Sequence, residues 1–530
     1  MERKFIEYLR TNFKKRVSIK IVLLFSIILA LGCKSTSLKP GNPINTESPN
    51  LLFIIVDQMR YDALSIAGNP IVKTPNLDKL ARQGAYFINA YTPVAVCGPA
   101  RSSILTGTTI NTHGVNTNDK TYYYDDSPVM TMKTFDEILT EKGYHAEYFG
   151  KWHVLTSHSS VYKNKKKYAE NGKYMFGHQG QKFMYLDYLN EVFPKKEPRK
   201  GELLDYFSER PYTPDPIDVD YGKSYDEVKK ANTRHSQPNY HGKSSIPKEH
   251  SITAYYAKKT IDAIKRLKDK PFSITASFHF PHAPMIVSEP YYSLYDPEQM
   301  PIPVSISDNM DNSPYKHANS RHTLTDYADK EKIKYMISNY YGLISELDYW
   351  VGKILDKLDE TGLTDDTLII FASDNGSALT KEEDSFLRTG GDLRGRKSEV
   401  YEGGIKSPLI AFWKGKIIPG SSSNHISAFW DFLPTCAEII NVKKPEKIDG
   451  ISFLPTLLGK PKEQVEHEYL YWERDQSVGI RKGDMKAVLK YETDVQPPSV
   501  QIYNLSKDPF EKNDLASTMP QLKDDFIKMA

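Results

Sequence analysis

Two apolar runs that end in the same way constrain this chain more than any other feature. Leu51-Leu52-Phe53-Ile54-Ile55-Val56 is followed at once by Asp57-Gln58, and Thr367-Leu368-Ile369-Ile370-Phe371-Ala372-Ser373 by Asp374-Asn375-Gly376. A strand with one wet face alternates apolar and polar residues. A strand covered on both faces is apolar throughout, which is the pattern of a central parallel strand in a layered α/β domain. Such sheets bind ligands beyond the C-terminal ends of their strands, so Asp57, Gln58, Asp374 and Asn375 arrive where a ligand belongs. With no cysteine or histidine among them, these oxygen donors suit calcium or magnesium rather than zinc, and the two amides keep the local negative charge low. Taken singly, each acid–amide pair also reads as an ordinary turn.

The intervening chain alternates helix and strand. Thr74-Pro75 opens a helix with Leu77, Leu80 and Ala81 on one side and Gly84 at its end. A short strand follows over 85–91. A second helix, about 133–142, precedes a strand over 144–153 that ends in Lys151 and His153; the spacing points both side chains one way if the strand continues that far. A helix over 252–267 and a strand over 272–278 lead to His279-Phe280-Pro281-His282-Ala283-Pro284, where prolines on both sides restrict the backbone around His282. A long amphipathic helix over 331–358 buries Ile333, Ile337, Tyr340, Ile344, Leu347, Val351 and Ile354 on one face. The next elements are a strand at 407–413 and a helix at 427–440. The pattern divides into a main domain, 50–460, and a small antiparallel C-terminal subdomain, 461–530. The domain carries a loop-rich insertion at 154–250, rich in lysine and tyrosine, which is either a surface for an anionic sugar chain or simply a solvated excursion.

Charge excludes one class of partner. Lysine and arginine number 70 against 67 acids, a dispersed net charge of +3, which argues against nucleic acid. Basic residues precede the apolar run 21–32, which is short for a membrane span and suited to an export signal. Its end, Ala30-Leu31-Gly32-Cys33, resembles a bacterial lipoprotein cleavage box. Residues 1–33 thus read as a lipoprotein-type signal peptide, with a lipid anchor on Cys33, and 34–49 as a flexible tether. An uncleaved anchor and ordinary secretion are the alternatives. The expected location is the periplasm or cell surface of a bacterial envelope.

Only Cys97 and Cys436 remain for the folded part, too few for a disulfide scaffold or a soft-metal cluster. Cys436 reads as a buried helical residue. Cys97 lies in Val96-Cys97-Gly98-Pro99-Ala100-Arg101-Ser102-Ser103-Ile104-Leu105-Thr106-Gly107, a loop running into a helix. A sulfur at a helix start beside Arg101 would have its anion favoured by free N–H groups and the guanidinium; the plainer reading is a small hydrophobe in a turn.

Cys97-Gly98-Pro99-Ala100-Arg101 with Leu105-Thr106-Gly107 resembles the signature of the type I, formylglycine-dependent sulfatases. Other stations of that family follow in order: Asp57-Gln58, Gly150-Lys151-Trp152-His153, Pro281-His282-Ala283-Pro284, Asp374-Asn375-Gly376, and Lys397 before Tyr401-Glu402-Gly403-Gly404. Lys482-Gly483-Asp484 and the segment 505–513 resemble its C-terminal subdomain, so the likeness spans about 50–520.

The resemblance implies an α/β fold, an alkaline-phosphatase-like sandwich with a large, mostly parallel central sheet and a small C-terminal antiparallel sheet. It also implies a sulfuric ester hydrolase acting on a sulfated carbohydrate. Cys97 would be oxidised to formylglycine by a maturation enzyme, and its hydrated form would be the nucleophile. One calcium ion, rather than magnesium, would be held by Asp57, Gln58, residue 97, Asp374 and Asn375; Gln58 departs from the aspartate common in the family. Arg101 and Lys151 would orient the nucleophile, His153 would accept a proton, and His282 with Lys397 would hold the sulfate and protonate the leaving alcohol. Without the resemblance, the same cations and histidines read as solvated or structural groups, and Trp152 as packing. An arylsulfatase for small esters, a phosphomonoesterase or phosphonate hydrolase, and a non-catalytic sulfated-glycan binder are the rival functions.

Overall fold

The strands of the main sheet are Asn50–Val56 (β1), Ala85–Phe87 (β2), His145–Gly150 (β3), Phe272–Ser277 (β4), Thr367–Ser373 (β5), Leu409–Phe412 (β6) and Ser421–Ser423 (β7). They lie in the order β7-β2-β6-β5-β1-β4-β3. The computed structural model describes residues 49–118, 132–154, 185, 188, 189, 191–193, 241–244, 246–282, 285–303, 330–377, 392–474, 476–492 and 495–530. The signal peptide with Cys33, nearly all of the tether and most of the 154–250 insertion lie outside these residues.

Register places the chemistry. Strand β1 pairs in parallel with β5, Val56 opposite Ser373, and with β4, Ile55 opposite Ser277; β3 pairs in parallel with β4, Gly150 opposite Ser277. Four strands therefore end along one edge, and the residues just beyond them include Asp57, Asp374 and Lys151. Each apolar run is buried on both faces because its period of two feeds two cores. Leu52, Ile54 and Val56 join the cluster of Ala257 and Ile264 from helix Ile252–Arg266 and of Tyr340, Ile344 and Leu347 from helix Lys330–Thr361. Leu51, Phe53 and Ile55 join Ile104 and Leu105 from helix Cys97–Thr106 and Leu433 from helix Phe432–Ile439.

A second sheet is antiparallel throughout: Leu470–Arg474 (β8), Ser477–Lys482 (β9), Met485–Glu492 (β10) and Val495–Asn504 (β11). Ile480, Ala487, Leu489 and Ile502 pack with Phe526 of the terminal helix Pro520–Met529. Trp472, Val488 and Tyr503 face the other way and pack with Tyr91, Val400 and Tyr401 of the main body.

Several local expectations change. The 85–91 strand is two, Ala85–Phe87 and Ala90–Tyr91, in separate sheets. The 407–413 strand shortens to β6, which runs antiparallel to both β5 and β2. Helix 427–440 begins only at Phe432, after a two-residue strand and a 3-10 turn. The helix near 133–142 is Phe135–Glu141, opened by a capping box in which Thr134 and Glu137 satisfy each other's backbone N–H. Strand β3 stops at Gly150 (φ +106°), and His153 takes a left-handed φ of +53°, so extended backbone does not carry Lys151 and His153 together.

Candidate active site

Cys97 is the first residue of helix Cys97–Thr106, with Val96 as its cap in extended conformation. Its sulfur contacts Asp57 Oδ1 at 3.3 Å and accepts from Asn375 Nδ2 at 3.2 Å. One turn along the helix, Arg101 Nε donates to Asp374 Oδ2 at 2.7 Å, while its Nη1 donates to Ser277 Oγ at 2.7 Å and to the Lys151 carbonyl at 3.0 Å. Lys151 Nζ pairs with Asp57 Oδ2. Every one of these side chains is buried. The helix start and the strand ends thus form one polar cluster inside the protein.

Its electrostatics differ from the sequence expectation for the thiol. Burial, then the Asp374 and Asp57 carboxylates, push the Cys97 thiol above its ordinary range, overriding Lys151 and Lys397. The helix start and guanidinium therefore do not make a reactive thiolate of unmodified Cys97. Burial alone would raise Asp57, but Lys151, Arg101 and Lys397 together hold it low. Asp374 moves up, through burial and the Asp57 charge. Burial, followed by the charges of Lys151, Arg101, Lys397 and His282, holds His153 well below the usual imidazole range, leaving a neutral imidazole at neutral pH.

The donor set fits a hard cation. An Asp57 oxygen, the Cys97 sulfur and an Asp374 oxygen lie within 4.8 Å of one another. The Asn375 Oδ1 is buried without a hydrogen-bond partner while its amide nitrogen is spent on Cys97 and Asp374. Two carboxylates and an orphaned amide oxygen on adjacent strand ends are ligands of calcium type. Gln58, at φ +62°, donates its backbone N–H to Asp374 Oδ1 at 3.2 Å.

The loop 392–405 brings in Lys397, which is buried. Lys397 N–H donates to Ser377 O at 3.2 Å, and Ser398 N–H donates to Ala95 O at 2.8 Å. The loop therefore bridges the Asp374 and Cys97 segments. Gly376 N–H donates to Gly404 O at 3.0 Å; a Cβ on Gly376 would meet Gly403 O at 2.0 Å, and one on Gly404 would meet Glu399 O at 2.2 Å. Only glycine permits that approach of backbone to backbone. His282 is half-buried and its charge is felt by His153. Trp152 is buried edge-on against Tyr148, centroids 4.8 Å apart, which is a packing role.

Three residues went unnoticed in the sequence. Ser277 accepts from Arg101 and donates to Lys151 O at 2.7 Å; Tyr148 donates to the same carbonyl; Ser373 Oγ accepts from Met59 N–H at 2.8 Å and donates to Asn375 O at 3.1 Å. Ser373 ends an apolar strand, the same signal that marked Asp57 and Asp374, whereas Ser277 ends β4, in which serine and threonine alternate with apolar residues.

The sulfatase family model matches residues 49–442, and one described as N-sulphoglucosamine sulphohydrolase, C-terminal, matches 396–526. An arylsulfatase of Clostridium perfringens is 25% identical over 479 residues, covering 89% of this chain and 90% of that protein. An N-acetylglucosamine-6-O-sulfatase of Bacteroides thetaiotaomicron is 26% identical over 509 residues, covering 89% and 83%. Among solved structures, the phosphonate monoester hydrolase of Agrobacterium radiobacter is similar with a TM-score of 0.68 at 22% identity, over 91% of this chain and 94% of that one. The shared fold is the alkaline-phosphatase-like α/β sandwich.

Proposed function

This chain belongs to the sulfatase family and is a sulfuric ester hydrolase, and from that premise we propose that it removes O-sulfate from a sulfated carbohydrate, using a formylglycine made from Cys97. The observation that carries the proposal is the convergence of Cys97 with Asp57, Asp374 and Asn375 under three cations, Arg101, Lys151 and Lys397. Asp57, Gln58, Asp374 and Asn375, with residue 97, would hold one calcium ion, which supplies positive charge to polarise oxygen, while the formylglycine hydrate supplies the nucleophilic hydroxyl.

The remaining roles belong to this chain's own side chains. Arg101 and Lys151 are fixed by carboxylates and carbonyls, so they hold residue 97 and its surroundings in place and favour an anionic ester. His153, kept neutral, takes a proton from residue 97. His282, assisted by Lys397, binds sulfate oxygens and returns a proton to the departing alcohol. A carbohydrate is favoured by the N-acetylglucosamine-6-O-sulfatase relative and by the export that the 21–32 run leads us to expect. We place the enzyme at the bacterial envelope as a lipoprotein; loss of membrane attachment in Cys33→Ala tests that, and unchanged fractionation rejects it.

The decisive experiment uses protein whose Cys97 oxidation is established by peptide mass. Sulfate release is measured on position-defined sulfated oligosaccharides beside an aryl sulfate and a phosphonate monoester. Turnover of one sugar series is expected. Turnover of the aryl ester alone would make the enzyme an arylsulfatase, faster phosphonate cleavage would overturn the reaction class, and sugar binding without release would make it a binder.

A further inference from the structure

Gln58 sits in the left-handed region immediately after Asp57, a conformation that costs a non-glycine residue of order 1 kcal/mol unless its surroundings hold it. Two ties come from β5 and its end: Gln58 N–H to Asp374 Oδ1, and Met59 N–H to Ser373 Oγ. The third comes from another element. Tyr340, on helix Lys330–Thr361, donates its hydroxyl to Gln58 O at 2.8 Å and accepts from Arg60 N–H at 2.8 Å. One phenol oxygen thereby closes the turn that carries the Asp57-Gln58 pair out of the sheet.

The hydroxyl is suited to that double role. Tyr340 is fully buried, and a neutral phenol can donate its O–H to one backbone group while a lone pair accepts from the other. Packing does not require it. The ring lies on the apolar face with Ile337 and Ile344, where phenylalanine would fill the same space. What phenylalanine would lose is the link between the helix and the two backbone groups flanking Met59.

We propose that Tyr340 is a positioning residue for the cation site, its hydroxyl fixing the left-handed turn at Gln58 so that Asp57 and Gln58 are presented together with Asp374. The proposal rests on the calcium reading of that site. It predicts a change in calcium affinity that is separable from a change in stability, because groups that orient metal ligands typically control affinity by about 10- to 100-fold.

The test uses the full-length chain, stripped of metal with a chelator and titrated calorimetrically with calcium chloride, alongside thermal unfolding of the calcium-free protein. Tyr340→Phe should raise the calcium Kd about 10-fold while the calcium-free melting temperature moves by only a few degrees. Tyr341→Phe is the control: its hydroxyl bonds Asn69 and the Arg60 side chain, not the turn, and its Kd should equal that of wild type. Ser373→Ala, which removes the Met59 tie together with the bond to Asn375 O, should weaken calcium in the same direction and by at least as much, and it stands in if Tyr340→Phe does not fold, an unchanged Kd then overturning the proposal. A Kd unchanged in Tyr340→Phe, or lowered affinity in Tyr341→Phe of the same size, overturns the proposal alone. A wild-type chain that takes up no calcium overturns the calcium reading and this proposal with it.

Discussion

Two clusters of buried charge meet the loop 392–405, and they are built differently. At one, Asp57 and Asp374 face Arg101 and Lys151 beside Cys97. At the other, Glu402 and Glu511 share Lys486, whose Nζ lies 2.9 Å from a Glu402 oxygen and 2.8 Å from a Glu511 oxygen. The second cluster is closed on itself. Tyr91 donates to the other Glu402 oxygen at 2.8 Å, Glu402 N–H donates to the other Glu511 oxygen at 2.8 Å, and Arg481 caps Tyr91. The first keeps unspent groups: Asn375 Oδ1 and Arg101 Nη2 are buried without partners. The same residue types make a structural fastening where one lysine is shared by two carboxylates, Glu511 Oε1 meeting it through the ion pair alone, and a candidate site where an amide oxygen and a guanidinium nitrogen are left for a ligand.

That contrast can be broken by experiment. Cys97→Ser should lower sulfate turnover at least about 10³-fold while denaturant unfolding stays within about 1 kcal/mol of wild type; retained turnover would reject residue 97 as the nucleophile, and loss of folding would make the first cluster structural too. Lys486→Met should show the opposite profile. It leaves two buried acids without their shared cation, so chemical denaturation should report a loss of about 3–5 kcal/mol; stability within about 1 kcal/mol of wild type would show that the second cluster does not fasten the two sheets.

The smallest effect concerns pH. Burial pushes the Glu511 carboxyl up to about 7, with the nearby Glu402 charge acting in the same direction against Lys486. The folded chain then holds a proton that the unfolded chain releases. This contribution to stability is full below the ordinary carboxylate value of 4.5 and is lost as pH rises through about 7. Glu511→Gln should flatten the fall in stability across that window by up to about 1.4 kcal/mol per pH unit, read from denaturant midpoints; an unaltered slope would show that Glu511 titrates as an ordinary surface acid.

That Asp57, Cys97 and Asp374 come together was largely legible in the sequence and the fastening was not, for a physical reason. A strand buried on both faces must be apolar along its length, so the acid–amide pairs after 51–56 and 367–373 stand out against their own strands. Lys486 stands in an alternating strand, where a lysine ordinarily reads as solvated; only the tertiary fold brings Glu402 and Glu511 to it. Whether the strand continues through Lys151 and His153 is not legible locally, because the turn at Gly150 is set by its contact with β4, where a Cβ on Gly150 would meet Ser277 O at 1.7 Å. Ser277, Ser373 and Tyr340 passed as strand ends and core because their hydroxyls serve backbone groups remote in sequence. The antiparallel β6 was also hidden, since an apolar strand does not announce its direction.

The contact of Gly376 with Gly403 and Gly404 has a consequence for how such an enzyme can diversify. A side chain at any of those three positions would meet backbone oxygen at 2.0, 2.5 and 2.2 Å, so the join between the Asn375 segment and the Lys397 loop offers no graded adjustment by substitution. New substrate preferences must then be acquired at the rim of the site, and a mutational library aimed at the sugar should leave 376, 403 and 404 untouched.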